Sequence, residues 1–202
     1  MRPAKRGLDL LVTGLLALAI WPVGLVIALL VLLIDGRPVF HVSERMKTQD
    51  CSFHLWKFRT MRPVTGDSGV SGGDKSDRIT SLGRFLRRTR LDEIPQLVNI
   101  LRGDISLVGP RPPLRRYVEL FPEIYGEVLK QRPGLTGLAT LVYHRTEERL
   151  LKDCATPQET EEVYTRRCIP TKARLDLIYA EKQGICLDLR LVLATVFRFL
   201  LP

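Results

Sequence analysis

LLVTGLLALAIWPVGLVIALLVLLI, residues 10–34, runs for 25 residues without a charge. At about 1.5 Å of rise per residue, a helix of that length exceeds the roughly 30 Å of hydrocarbon in a bilayer. The run is longer than the apolar part of a secretory signal, about 7–15 residues, and no small-residue cleavage site follows it, so it is expected to be retained in the mature chain. Pro22, between Trp21 and Gly24, removes an amide donor and clashes with the preceding turn, which predicts a break into two half-length helices. Arg2, Lys5 and Arg6 precede the run, and Arg37 and Arg45 follow it. Positive charge on both flanks gives no orientation for a single straight span. It fits a re-entrant helix with both ends on the cytoplasmic side.

Outward from this segment, the 202 residues suffice for one compact domain plus the membrane element. Polar and apolar residues alternate around Val39–Val42 and Phe53–Phe58, predicting short strands. Residues 66–77, GDSGVSGGDKSD, hold four glycines and no large apolar side chain, and read as a mobile loop. Ile94, Leu97, Val98 and Leu101 predict one helical face, with Pro95 in the first turn and Gly103 as the stop. Thr156, Pro157 and Glu159 start another helix with a capping box, and Lys172–Gln183 forms a third, ended by Gly184. The last stretch, 188–201, is apolar apart from its start and the arginines 190 and 198, and is expected to lie in the membrane interface.

A net charge of +9 suits nucleic acid, anionic lipid or a phosphorylated substrate equally well. Cys51, Cys154, Cys168 and Cys186 form no CxxC pair, and the three histidines have no metal or triad spacing. GxxxxGK[ST] and GxGxxG are both absent, so neither a P-loop nor a dinucleotide fold is supported. The most informative stretch is 81–113, SLGRFLRRTRLDEIPQLVNILRGDISLVGPRPP. Asp92 and Glu93 stand just before a helix, where amide groups and the dipole favour negative charge and phosphate. Arginines 84, 87, 88 and 90 precede them and Arg111 follows in a stiff PRP tripeptide, outlining a polyanion site. Helix capping is the plain alternative for both acids. An ionised aspartate among cations is also able to attack phosphorus, and an adjacent glutamate with a diphosphate makes a partial magnesium shell. Lys57, Arg59 and Thr60 mix cations with a hydroxyl next to apolar anchors, and are expected to face the phosphates, with a solvated strand edge as the alternative. Arg132 opens a glycine-bearing turn, RPGLTGLA, that permits close backbone approach to a ligand. Asp176 and Tyr179 share a helix face as a structural pair or a substrate contact.

These residues resemble the monotopic phosphoglycosyl transferases, the bacterial sugar transferases that begin glycan assembly on polyprenol phosphate. The resemblance covers most of the chain: the helix interrupted at Pro22, KFRTM at 57–61, RFLRRTRLDEIPQL at 84–97, GDISLVGPRP at 103–112, RPGLTGLA at 132–139, and Asp176, Tyr179, Leu187 and Asp188. It implies that Asp92 attacks the β-phosphate of a UDP-sugar, releasing UMP, and that polyprenol phosphate then takes the sugar phosphate. Glu93 would bind Mg2+ and Arg111 a phosphate, with Lys57, Arg87 and Asp176 around them. Two departures stand out: Trp21 replaces the serine common before the proline, and a charged helical insert occupies 140–170.

The expected fold is mostly α with a few short strands. A re-entrant membrane helix (1–36, broken near Trp21 and Pro22) precedes a membrane-associated catalytic domain (37–202) with interfacial amphipathic helices. UDP-sugar, polyprenyl phosphate and the bilayer are the expected partners, at the cytoplasmic face of the bacterial inner membrane. No nucleic acid is expected, and a homodimer is left open. A non-catalytic basic protein binding nucleic acid or anionic lipid is the alternative, disfavoured by 7% aromatic content and by carboxylates lying inside the basic cluster. Two-carboxylate glycoside hydrolysis is disfavoured because it needs acids about 5–9 Å apart across a sugar.

Overall fold

The computed structural model describes residues 3–63 and 73–200. The chain is mostly helical with four short strands among the described residues. Helix α1 spans Pro3–Leu30 and passes into a π-helical turn, Val31–Asp35. Its helical assignment continues through Pro22, so the expected pair of half-length helices is one element, with the proline inside it.

The side chains of α1 are distributed the opposite way from those of a soluble helix. Lys5, Asp9 and Thr13 are buried, while Leu11, Leu15, Leu18, Trp21, Leu25 and Leu29 are exposed. An exposed apolar surface this continuous makes α1 a candidate membrane segment. The polar stripe is fastened to the body. Lys5 Nζ pairs with Asp188 Oδ2 at 2.6 Å and reaches the Tyr179 hydroxyl at 3.1 Å. Asp9 accepts from Ser106 Oγ at 2.7 Å and from the Leu107 amide at 3.2 Å. Arg6 donates to the carbonyls of Ile100 and Leu101. At the other end Ile27 and Val31 pack with Phe58 and Leu86. Lys5 and Arg6, which read as flanking topology signals, are thus structural cations.

Strands β1 (Phe40–Met46) and β2 (Ser52–Phe58) form an antiparallel hairpin that pairs His41 with Lys57, Ser43 with Leu55 and Arg45 with Phe53. Residues 66–72 of the expected mobile loop lie outside the described residues, and its remainder is ordered in a 3-10 helix, Gly73–Arg78. Helix α2 (Ser81–Thr89) starts at Thr80, whose hydroxyl accepts from the Gly83 amide. A Cβ on Gly83 would lie 2.1 Å from the Thr60 carbonyl oxygen, so α2 and the end of β2 touch backbone to backbone. Helix α3 (Gln96–Arg102) ends at Gly103 in the left-handed region. Its predicted apolar face is divided: Leu97 is buried and Ile94 half-buried, whereas Val98 and Leu101 are exposed, and the buried Ile100 lies outside the predicted face. α3 packs on α1 and β2, which cover its Leu97–Ile100 side.

Strands β3 (Ser106–Val108) and β4 (Gly134–Thr136) pair in parallel, a pairing too short to show in sequence periodicity. This pairing explains the RPGLTG glycines. A Cβ on Gly109, Gly134 or Gly137 would come within 2.2 Å of the facing backbone, so these glycines let two segments meet and are not reserved for a ligand. Helices α4 (Arg115–Leu120), α5 (Pro122–Val128), α6 (Leu138–Lys152), α7 (Pro157–Val163) and α8 (Ile169–Lys182) follow, with a π turn at Tyr164–Cys168 before α8. Thr156 caps α7 as expected, accepting from the Glu159 amide. Their core holds Tyr117, Val128, Leu151, Tyr164 and Ile169. The last helix, α9 (Ile185–Leu200), buries Asp188 and Leu191 and exposes Leu189, Leu193 and Phe197, so it joins the core on one side and presents an apolar face on the other.

The Lys5–Asp188 pair yields a prediction. Lys5→Met strands a buried carboxylate and is expected to cost about 3–5 kcal/mol in denaturant unfolding in micelles. The double variant Lys5→Met/Asp188→Leu is expected to recover most of that loss. A double variant no more stable than the single would contradict this account.

Candidate functional site

Asp92 and Glu93 lie in a 3-10 turn, Leu91–Glu93, between α2 and α3. The turn is entered through Arg90, a non-glycine residue with φ 56°. Neither acid caps a helix. Pro95 stands at the N-cap of α3 with no side-chain bond, and the turn's own amides are used internally, Glu93 N to Arg90 O and Ile94 N to Leu91 O. The expected helix-end amide site is therefore replaced by side-chain cations.

Three cations converge on Glu93 Oε1: Lys57 Nζ at 2.8 Å, Arg111 Nη2 at 3.0 Å and Arg90 Nη1 at 3.5 Å. Burial alone would raise this carboxyl, but the charges of Lys57, Arg111 and Arg90 overcome it and hold Glu93 well below the usual carboxylate range. Asp92 differs. It is 6% exposed, its Oδ2 lies 4.0 Å from Lys57 Nζ, and its Oδ1 is buried with no hydrogen-bond partner. Burial raises its carboxyl above the ordinary value against the pull of Lys57, and the charge of Glu93 adds to the rise. Two adjacent acids thus acquire different electrostatic characters, one fixed as an anion and one desolvated and uncommitted.

Both acids line a cavity of about 1070 Å³ that also takes in Lys57, Arg87, Arg111, Tyr164 and Asp176. Of the residues expected from sequence, Lys57, Arg87 and Arg111 gather around the acids. Arg87 Nε donates to Thr60 Oγ1 at 2.9 Å, and its charge acts on Asp92. Thr60 is therefore a support for Arg87. Arg84 and Arg88, on the outward side of α2, leave the cluster. Arg59 lines the cavity, but its guanidinium is spent on the carbonyls of Asp35, Gly36 and Arg37, where it holds the chain leaving the membrane segment. Arg132 is elsewhere: its guanidinium sits beside Gly103 and Arg6 at the end of α3. Tyr179 is also outside the cavity, fully buried, donating to Asp188 Oδ1 at 2.6 Å. Asp176, one helical turn before it, faces the cavity with a buried, unpartnered Oδ1. Of the two alternatives open in sequence, the structural pair does not form: Asp176 lines the cavity and Tyr179 bonds Asp188 outside it. Arg45, Glu147 and Lys172 line the same cavity and were not singled out from sequence as site residues. Among the described residues no group of three His, Cys, Asp or Glu stands close enough to hold a metal.

A family model described as "Bacterial sugar transferase" matches residues 1–202. The chain belongs to the bacterial sugar transferase family. It is 34% identical over 98% of its length to the UDP-glucose:undecaprenyl-phosphate glucose-1-phosphate transferase of Escherichia coli K12, covering 40% of that relative. The same percentage links it, over 95% of the chain and 68% of the relative, to a protein of that name from Caulobacter vibrioides. A 34% match over 69% of the chain reaches a UDP-N-acetylgalactosamine-undecaprenyl-phosphate N-acetylgalactosaminephosphotransferase of Aeromonas hydrophila. The chain spans about two fifths of the length of the first of these relatives. Residues 140–170, expected from sequence to be a charged helical insert, form most of α6, α7, the π turn and the start of α8.

In this family member Asp176 supplies a pH test. Burial pushes its carboxyl up to about 7, opposed by the charge of Lys172. The unfolded chain loses this proton near pH 4 and the folded chain near 7, so folding stability falls as pH rises across that window. Asp176→Asn removes the dependence. Its melting-temperature advantage over wild type is expected to widen between pH 4.5 and 7 and stay level above. A gap independent of pH would refute the shift.

Proposed function

We propose that this chain transfers a sugar phosphate from a UDP-sugar to polyprenol (undecaprenyl) phosphate through a covalent intermediate on Asp92. The observation that carries the reading is the unpartnered, buried Oδ1 of Asp92 beside a glutamate whose charge is already met by three cations. A carboxylate stripped of water and hydrogen bonds, with its pKa raised, is a better nucleophile than a solvated one. In the first step an Asp92 oxygen bonds to the β-phosphorus, the bond from that phosphorus to the bridging oxygen breaks, and UMP leaves carrying that oxygen. In the second step an oxygen of polyprenol phosphate attacks the same phosphorus and the Asp92 carboxylate departs. The product is a polyprenyl diphosphate sugar. Lys57, Arg87, Arg90 and Arg111 surround the acids and neutralise the charge that develops on the phosphate oxygens.

Magnesium fits this site as a cation carried by the diphosphate. Its usual shell takes one or two carboxylates together with substrate phosphates and water; Glu93, held firmly ionised, would offer it Oε2, because Lys57, Arg111 and Arg90 already hold Oε1. Bound there, it would offset diphosphate charge. Relatives named for glucose and for N-acetylgalactosamine both match this chain, so the UDP-sugar class, and not one sugar, is proposed. Binding to nucleic acid is disfavoured because the cations turn inward onto carboxylates in a cavity.

Attachment of both ends of α1 to the same body supports a re-entrant helix at the cytoplasmic face of the inner membrane. A helix crossing the bilayer would carry Lys5 and Asp9 to the far side, away from Asp188 and Ser106. The lipid phosphate would then meet the soluble sugar nucleotide at the headgroup plane.

Asp92→Asn is expected to lower UMP release from a UDP-sugar by at least about 10³-fold in a phosphate-coupled assay. Full activity in that variant would end the proposal. Glu93→Gln is expected to raise the magnesium concentration for half-maximal rate about tenfold or more. An unchanged magnesium dependence would remove Glu93 from that role.

A further inference from the structure

Arg45 projects from β1 into the same cavity, and the chemistry so far gives it nothing to do. The hairpin register puts it on the face that carries Lys57, because His41 pairs with Lys57 and Arg45 with Phe53, and side chains alternate along a strand. One sheet face therefore presents two cations about four residues apart. A guanidinium has five N–H donors, and Arg45 uses two poorly, Nε to Ser43 Oγ at 3.4 Å and Nη1 to the Pro112 carbonyl at 3.5 Å. Among the described residues no carboxylate lies within 4 Å of it. The charge that acts on it most strongly is a like one, Arg111, with Tyr164, Tyr117 and Glu93 acting more weakly in the opposite sense. Burial, with the Arg111 charge, lowers it to about 10. A half-buried cation left beside another cation is costly unless an anion fills the gap.

We propose that Arg45, with Arg111, binds a second phosphate oxyanion alongside the phosphorus that Asp92 attacks. This rests on the reading of Asp92 as nucleophile. The cations acting on Asp92 are Lys57, Arg90 and Arg87, while Arg45 acts in the neighbourhood of Glu93 and Arg111. The cationic wall thus extends past the reacting centre, as a two-phosphate ligand requires. The second oxyanion belongs either to the nucleotide side of the donor or to the headgroup of the lipid acceptor, since both present the same phosphate chemistry.

The test compares wild type, Arg45→Gln and Arg45→Lys. Binding of inorganic pyrophosphate, followed by calorimetry, is expected to weaken about tenfold or more in Arg45→Gln and by less in Arg45→Lys, as expected for loss of a charged hydrogen bond. Equal binding in all three, or no binding to wild type at millimolar pyrophosphate, overturns the inference without requiring turnover. In steady-state assays KM is expected to rise more than kcat falls. A rise in KM for the UDP-sugar assigns the oxyanion to the donor, and a rise in KM for undecaprenyl phosphate assigns it to the acceptor. A fall in kcat with both KM values unchanged marks Arg45 as structural and also overturns it. Wild type that binds pyrophosphate through Arg45 but releases no UMP from any UDP-sugar would instead defeat the proposed reaction and leave the oxyanion site standing.

Discussion

Glu93 Oε1 is the point on which the site depends. Lys57 reaches it from β2, Arg90 from the end of α2 and Arg111 from the segment after β3, so one buried carboxylate ties three separate parts of the chain together. A single buried anion would carry a desolvation cost of several kcal/mol, and three cations around it would repel one another; together they offset both terms. The same arrangement sets the character of Asp92. Lys57 gives its short contact to Glu93 and stands 4.0 Å from Asp92, near enough to steady an anion and too far to hydrogen-bond it. Burial and the charge of Glu93 raise the Asp92 carboxyl while Lys57, Arg90 and Arg87 oppose that rise, so the nucleophile is left near cations without being spent on them.

A second constraint ties this site to the bilayer. Helix α1 turns polar residues inward, where the body packs on them, and leucines outward, as a membrane-facing surface would. Arg59 continues the connection, clamping the three carbonyls that follow the membrane segment while its neighbour Thr60 supports Arg87. KFRTM therefore links membrane anchoring at Arg59 to cation placement at Lys57 within three residues. A shift of the helix end relative to β2 would disturb both.

Much of this was legible in the sequence, for reasons that can be stated residue by residue. The uncharged run, the Thr156 cap and the Gly103 stop are local signals, written in consecutive residues. Asp92, Glu93, Arg87 and Arg111 stand out in sequence because a carboxylate pair inside an arginine cluster is unusual whatever the fold, and Lys57 because KFRTM sets cations beside a hydroxyl. Arg132, Tyr179 and Arg59 have residue types that suit phosphate chemistry in sequence, and only tertiary contacts assign them to the end of α3, to Asp188 and to the Asp35–Arg37 carbonyls. Arg45 was passed over because its kinship with Lys57 lies in strand register, which one strand alone does not reveal. The β3–β4 pairing was invisible for the same reason: three residues carry no period.

The most direct test of the account is the intact mass of the purified chain after mixing with its UDP-sugar and magnesium in the absence of lipid acceptor. The account predicts a mass gain of one sugar phosphate, localised to the peptide containing Asp92, with a matching burst of UMP and discharge on adding undecaprenyl phosphate. UMP release that begins only when the lipid is added, with no adduct at any time, would contradict it and point to direct transfer between the two substrates.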